Sequence, residues 1–176
     1  MNILNDEIFY NDDGGMGKYI VNKLQLPPAQ ADPETVKKYE RYGKRVLWID
    51  DSVVPGSFQM NASWYKHSNM YVITESYQKG TDFLKPHKHE TDEIVAFFGG
   101  NPEDPENLHG EIIFYINGEK HIIKKSCFIF FPAGIEHGPL LIQKVNSPIF
   151  HFSCVLQKQY AAKVDAVQDE NNDTSD

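Results

Sequence analysis

The chain has few of the features that mark disulfide-stabilised proteins. It contains only two cysteines in 176 residues, Cys127 and Cys154, too few to hold together a fold of this size by disulfides. Both lie in apolar, strand-like runs, so we expect two buried free thiols. A disulfide between neighbouring strands is an alternative that the fold does not need, and the residues around each cysteine do not indicate a nucleophile.

Long hydrophobic runs and an excess of positive charge are also lacking. No apolar run approaches the length of a membrane span, and the segment 1–7 is acidic where a secretory signal needs a basic end. The formal net charge is −8, which makes the chain a poor partner for phosphate backbones. The composition therefore predicts a cytoplasmic protein that binds neither nucleic acid nor a membrane.

Residues that favour β-sheet are abundant. The chain has eleven Phe and nine Tyr, and 40% of it is hydrophobic, which predicts one folded domain with a sizeable core rich in strands. From residue 45 onward no segment has a helical period, so an antiparallel sandwich or barrel is expected. Asn117-Gly118 is a strong two-residue hairpin signal. The predicted strands are 45–49, 57–65, 70–78, 87–98, 111–116, 119–124, 127–131, 139–145 and 148–156.

The two ends of the chain differ from its middle. Residues 1–56 are predicted to form an arm, a strand over 18–26 and one short helix, all packing on a barrel formed by residues 57–158. Asp32-Pro33 is typical of a helix start and Gly43 of a helix end. Residues 159–176 are polar and acidic and are predicted to be a disordered tail.

The most informative motif is His87-x-His89-x-x-x-Glu93. Residues two apart on a strand point to the same face, so a strand through this motif would project two imidazoles and a carboxylate in one direction. Downstream, a Pro-Ala-Gly turn is followed by His137. If His137 folds back onto that face, three nitrogens and one oxygen meet at one point.

These residue types suit a divalent transition metal. Imidazole nitrogen and carboxylate oxygen bind Fe, Mn, Ni or Zn, and a six-coordinate ion would keep two positions open for water, dioxygen or a substrate. A closed structural zinc site would more often use thiolates. The alternative is a set of surface histidines in a hydrophilic stretch. We favour the metal, because the motif adjoins the apolar run 94–98 and buried polar groups need partners.

These motifs resemble those of the cupin superfamily. Gly80-x6-His87-x-His89-x3-Glu93-x5-Gly99 is similar to its first motif, and Pro132-x-Gly134-x2-His137 to its second. The resemblance covers about residues 57–158 and implies an all-β jelly roll, or double-stranded β-helix, with a short N-terminal helix outside it. It also implies one divalent metal held by His87, His89, Glu93 and His137. One extra residue between Gly80 and His87, and Ser126 in place of a frequent glycine, depart from the pattern without touching a ligand.

Three further residues are candidates for catalysis. If one face of strand 70–78 points inward, Glu75 and Tyr77 become acid or base candidates, although a solvent-facing glutamate in a cross-strand pair is the alternative. His151 either lines the cavity or is a hydrogen-bonded sheet histidine. The loop 99–109 either hangs over the mouth of the site or is a solvated connection.

The resemblance leaves several functions open. A metal-dependent enzyme acting on a small organic molecule is expected first, with an oxygenase preferred. A non-redox lyase, decarboxylase or isomerase on the same site is the alternative, as is a cupin that binds a metal and a ligand without catalysis, since fold and metal do not fix the reaction. Single-domain cupins are often homodimers, so the resemblance implies a homodimer. The strand expected over 18–26 could serve this dimer by adding to a partner's sheet.

Overall fold

A computed structural model describes residues 19–26, 31–40, 43–66 and 86–158. These residues form one short helix and eight strands, which confirms the predicted all-β fold with an N-terminal helix. No helix among them combines the length and apolar character that crossing a bilayer requires. The elements are α1 (Pro33–Glu40), β1 (Gly43–Ile49), β2 (Gln59–Tyr65), β3 (Glu93–Gly99), β4 (Asn107–Ile116), β5 (Glu119–Lys125), β6 (Cys127–Phe131), β7 (His137–Val145) and β8 (Ile149–Val155).

The strands form two antiparallel sheets. Sheet A has the strand order β1-β2-β8-β3-β6, and sheet B has the order β5-β4-β7. β1, β2 and β3 all lie in sheet A, and the chain then crosses between the sheets at β3–β4, β5–β6, β6–β7 and β7–β8, as in a jelly roll. The predicted boundary at residue 57 falls inside sheet A, because β1 is its edge strand and pairs with β2 along their whole length.

The hairpin between β4 and β5 has the turn that its sequence predicts. Asn117 and Gly118 both have positive φ, 46° and 78°, and Ile116 pairs with Glu119 across the turn. Positive φ at both central residues defines the type I′ turn, whose twist matches that of the strands. This prediction is confirmed.

The main core lies between the sheets. Val95, Phe97 and Phe131 on the inner face of sheet A pack with Ile112 and Phe114 on β4 in one buried cluster. Fully burying a side chain of this size contributes about 1.5–3 kcal/mol. Glycine is needed where the end of β3 lies against the start of β4 in the other sheet: a Cβ on Gly99 would lie 2.1 Å from the backbone oxygen of Asn107.

Strands β2 and β8 reverse the usual distribution of polar and apolar side chains. Directly paired residues lie on the same face of a sheet, and Glu93 of β3 is in register with Val155 of β8, which is in register with Gln59 of β2. Alternation from these positions turns polar side chains inward and apolar ones outward. The polar inward side chains in the middle of the two strands are Asn61, Ser63, His151 and Ser153, with Gln59, Tyr65, Ile149 and Val155 at the inward positions that flank them; the outward side chains are Met60, Ala62, Trp64, Phe150, Phe152 and Cys154.

Some local predictions were wrong. Residues 19–26 contain no strand, so the strand expected over 18–26 is absent from that segment. The motif strand begins only at Glu93, and residues 86–92 are irregular apart from a single bridge. The predicted strand 70–78 and the tail 159–176 lie outside the described residues.

The two cysteines are free thiols, as expected. Cys127 pairs with Phe97 on the inner face of sheet A, whereas Cys154 pairs with Ile94 on the outer face. Since the two side chains lie on opposite faces, the alternative of a disulfide between them is wrong.

Candidate metal centre

Two segments are joined so that their histidines meet. His87 and His137 exchange two backbone hydrogen bonds of 2.9 Å each, and the amide of Gly134 donates to the carbonyl oxygen of His89 at 2.9 Å. Gly134 has a φ of +84°, a conformation that glycine adopts without strain. The Pro-Ala-Gly turn is therefore hydrogen-bonded to the His-x-His segment, and it delivers His137 as the first residue of β7.

The four predicted ligands converge. Each of His87, His89, Glu93 and His137 offers one donor atom, and these atoms all lie within 4.8 Å of one another. Oε2 of Glu93 is 3.2 Å from Nε2 of His89 and 2.8 Å from Nε2 of His137. His87 is half-buried and the other three are buried. The cluster could hold one metal ion, although the continuous strand from which we expected this convergence does not exist.

The protonation of His137 can be read from its surroundings. Its Nδ1 lies 3.0 Å from the carbonyl oxygen of Ile135, and because a carbonyl oxygen only accepts, Nδ1 carries the proton. In the neutral ring Nε2 then presents its lone pair. Metal-binding histidines are commonly oriented by a backbone carbonyl in this way.

The carboxylate of Glu93 lies next to Nε2 of His137. Burial alone would raise the pKa of Glu93, but the adjoining imidazoles of His137 and His89 lower it to about 2, so the carboxylate is ionised at neutral pH. Oε2 of Glu93 and Nε2 of His137 are buried, and neither has a hydrogen bond of acceptable geometry within the described residues. An ionised carboxylate and an imidazole lone pair 2.8 Å apart would repel each other, so a cation, either a proton on Nε2 or a metal ion, has to lie between them. The donor set therefore fits a divalent metal ion.

An aromatic wall covers one side of the cluster. The ring of Phe131 stacks on His137 with centroids 4.3 Å apart and an interplanar angle of 16°. Phe114 packs edge-on against Phe131 at 5.5 Å. These rings fix the orientation of the imidazole and exclude water from that side of the site.

The other predicted site residues have different outcomes. Glu75 and Tyr77 lie outside the described residues, so their roles stay predictions. His151 is buried between the rings of Tyr65 and Phe97, at centroid distances of 5.5 and 5.1 Å. Its Nδ1 donates to the carbonyl oxygen of Ala96 at 3.2 Å, and burial lowers its pKa to about 4. His151 is thus a neutral, hydrogen-bonded sheet histidine on the inner face.

The loop after β3 does not cover the cluster. Glu93 is the first residue of β3 and Gly99 the last, and seven strand residues span about 20 Å. The loop leaves from the far end, so of the two expectations the one that placed it over the mouth of the site is wrong.

The strand order of the two sheets and the convergence of the four side chains confirm the resemblance to cupins at the level of fold. No protein-family model and no curated protein matches the chain. Solved structures do match it at low similarity. KdgF from Halomonas sp. is 15% identical over 67% of this chain and 78% of that one, with a TM-score of 0.37. Oxalate oxidase in complex with glycolate is 13% identical over 86% of this chain and 66% of that one, with a TM-score of 0.47.

A third solved structure is an RmlC-like cupin from Shewanella frigidimarina. It is 12% identical over 58% of this chain and 68% of that one, with a TM-score of 0.31. The TM-scores of these three structures are below 0.5, so none of them carries a conclusion about activity or substrate.

Proposed function

We propose that this chain is a mononuclear metal enzyme that acts on a small organic molecule. The observation that carries the proposal is the convergence of one donor atom from each of His87, His89, Glu93 and His137 within 4.8 Å, with Oε2 of Glu93 and Nε2 of His137 buried and 2.8 Å apart. We assign the metal to Fe, Mn, Ni or Zn on the basis of the donor set.

The residues of the centre have separate tasks. His87, His89, Glu93 and His137 would hold the ion, and Phe131 and Phe114 shield one side of it. When bound, such an ion polarises substrate oxygens as a Lewis acid and, if it is redox-active, exchanges electrons with dioxygen. Three imidazoles and one carboxylate balance only one of its two positive charges, which favours an anionic chelating group on the substrate.

Among these reactions we prefer an oxygenase. A lyase or isomerase needs a side chain that moves protons near the substrate. Within the described part of the chain, the inner-face neighbours of Glu93 in sheet A are Phe131 and Val155, and His151 is neutral and occupied by the Ala96 carbonyl. The described wall thus provides no carboxylate beside the cluster other than Glu93 itself.

The non-redox alternative depends on Glu75 or Tyr77. If either is essential for turnover while oxygen is not consumed, the reaction is a lyase, decarboxylase or isomerase reaction. A binding module without catalysis is the third alternative. It would retain ligand affinity with no turnover under air or under nitrogen.

The proposal is tested by metal analysis of protein purified without oxygen. We expect about one equivalent of a divalent transition metal per chain, followed by oxygen uptake when candidate substrates are added to the Fe(II) form. Protein that stays metal-free after incubation with excess Fe, Mn, Ni and Zn would refute the function. Turnover without oxygen uptake would refute only the oxygenase.

A further inference from the structure

The interior of the barrel has a polar side that the metal centre does not use. Four inward side chains of β2 and β8 form a two-by-two array, here called the inner polar patch. Ser153 is in register with Asn61, and His151 is in register with Ser63. Polar side chains on a core-facing surface need hydrogen-bond partners.

Three of the four are paired inside the protein. Ser63 donates to Oδ1 of Asn61 at 3.3 Å, and the hydroxyl of Tyr39 on α1 lies beside both side chains. His151 donates to the carbonyl oxygen of Ala96. The hydroxyl of Ser153 has no such partner among the described residues.

Ser153 also borders open space. It lies on the inner face of β8, the central strand of sheet A, where neighbouring strands shield it on both sides. Its inner-face neighbours along β8 are buried, with Val155 0% exposed and His151 7% exposed, yet Ser153 is only half-buried. A side chain in this position is accessible only if the protein leaves room above it, so the interior is open at Ser153.

This open space adjoins the metal-ligand cluster. Ser153 pairs with Val95, two residues along β3 from Glu93, so Ser153 and Glu93 are diagonal neighbours about 7–8 Å apart. On the other side of Val95 lies Ile129 of β6, which is also half-buried. A small molecule chelated at the cluster would have apolar side chains along one edge and the hydroxyl of Ser153 along the other.

The patch carries no charge. Its members are two serines, one asparagine and a neutral histidine. Arg45, which is in register with Ser63, is stacked on the rings of Tyr39 and Trp48 at 4.6 and 5.6 Å. If the ligand carried a second anionic group besides the one on the metal, that group would lose its hydration here. These side chains include no cation that could balance its charge.

We propose that Ser153 forms the specificity site for the substrate. The substrate is a small acid that chelates the metal through its carboxylate and carries an uncharged hydroxyl or amide a few atoms away. That polar group exchanges a hydrogen bond with the hydroxyl of Ser153. The inference rests on the proposed metal enzyme and adds the class of molecule that it binds.

The test measures binding to Ni(II)-loaded protein by titration calorimetry, which needs no turnover. Three probes share the same chelating end: lactate, glycerate, which adds one hydroxyl, and malate, which adds a carboxylate. We expect glycerate to bind about fivefold more tightly than lactate, the value of one hydrogen bond, and malate to bind several-fold more weakly than lactate. S153A should abolish the preference for glycerate and leave lactate unchanged, whereas S153T, which keeps the hydroxyl, should retain it.

Ser147→Ala is the matched control, because it removes a hydroxyl from the turn before β8 rather than from the barrel interior. It should keep the glycerate preference in full. The proposal is overturned if S153A and S147A behave alike, if malate binds most tightly, or if metal-loaded protein binds none of the three acids. Failure of the protein to take up Ni(II) would count against the proposed metal enzyme instead.

Discussion

At the scale of single residues, His137 is the side chain on which the metal centre most depends. It is buried, oriented by the Ile135 carbonyl and directed at Glu93. Replacing it with alanine removes one of four donors and leaves Glu93 facing a void. We expect His137→Ala to lower the bound metal to less than about a tenth of its wild-type level, in line with the strong dependence of metal sites on each ligand, as measured by elemental analysis of purified protein.

His121→Ala is the control for this variant. His121 is on β5 with a side chain 41% exposed, and its Nε2 is 3.9 Å from a carboxylate oxygen of Glu119. Exposed pairs of this kind contribute little, so metal content should not change. Equal metal loss in both variants would show that the histidines act through folding and that the ligand assignment is wrong.

His151 makes a separate prediction about pH. Burial lowers its pKa to about 4 from an unfolded value near 6.5, so below pH 6.5 the unfolded chain binds a proton that the folded chain does not. The stabilisation that His151 contributes to the folded protein is therefore fully present above pH 6.5 and is lost as the pH falls toward 4. The loss between pH 7 and pH 5 should be about 2 kcal/mol.

Urea denaturation of EDTA-treated protein at pH 7 and pH 5 measures this loss. His151→Gln, which cannot titrate, should lose about 2 kcal/mol less stability than the wild type over that interval. Identical losses would mean that His151 is already solvated or protonated in the folded protein, and that its stacking between Tyr65 and Phe97 does not keep it neutral.

Sequence reasoning predicted which four side chains converge but missed the inner polar patch. The ligands could be predicted because their chemistry and spacing are unusual. Asn61, Ser63 and Ser153 carry no such mark, and alternation along β2 would ordinarily be interpreted with the apolar residues inward. Only the register of β2, β8 and β3 shows that the polar face points into the barrel.

At the scale of elements, the turn before β7 sets the position of His137. Gly134 has a φ of +84°, and a Cβ added there would meet nothing within 4 Å. Gly134→Ala should therefore cost only the backbone strain of a left-handed residue, about 1–2 kcal/mol. Because relief of that strain moves a turn hydrogen-bonded to His89, we also expect Ni(II) affinity to fall at least about fivefold, roughly 1 kcal/mol.

Gly118→Ala is the control that separates the effect of backbone strain from the effect of moving the turn before β7. Gly118 has a φ of +78° and the same empty surroundings, but it lies in the hairpin between β4 and β5. It should lose similar stability and keep its metal affinity, as judged by urea denaturation and by competition with a chelator of known affinity. Loss of metal affinity in both variants would contradict a specific role for the turn.

The same segments show why elements were harder to predict than ligands. The hairpin at Asn117-Gly118 was predicted because its turn chemistry is local. The His-x-His segment was predicted as a strand from its two-residue spacing, but its geometry comes from a bridge to His137, fifty residues away. Contacts over that separation have no local sequence signal, so the convergence of the four side chains was predicted correctly on an incorrect local structure.

At the scale of the whole molecule, the outer face of sheet A is the feature that the folded chain leaves unexplained. At the outward positions of β2, β8, β3 and β6 every side chain is apolar. Phe128 is 69% exposed, Phe130 58% and Trp64 40%. Aromatic rings form a row across the face, from Trp64 through Phe150 and Phe98 to Phe128, with neighbouring centroids 5.2 to 6.5 Å apart. Exposed apolar surface of this kind marks an interface.

We propose that a second copy of this chain covers that face. A copy carries the same net charge of −8, so two copies can associate closely only through a surface without charge, and these outward positions provide one. Aromatic side chains of about 150–250 Å² each supply much of the roughly 800 Å² per partner that a standard interface buries. This mode does not involve residues 19–26, which contain no strand in the single chain.

Light scattering coupled to size-exclusion chromatography tests the interface. The wild type should elute as a dimer of about twice the 20.2 kDa chain mass, and Phe128→Glu combined with Phe130→Glu should shift it to the monomer, since burying two carboxylates against their symmetry mates costs several kcal/mol. Metal content should persist, because both rings point away from the inner face that carries Glu93.

Ile122→Glu, at a residue 54% exposed on sheet B, should remain a dimer. A wild-type monomer at tens of micromolar, or a dimer that survives both glutamates, would place the contact elsewhere and leave the outer face for a different partner.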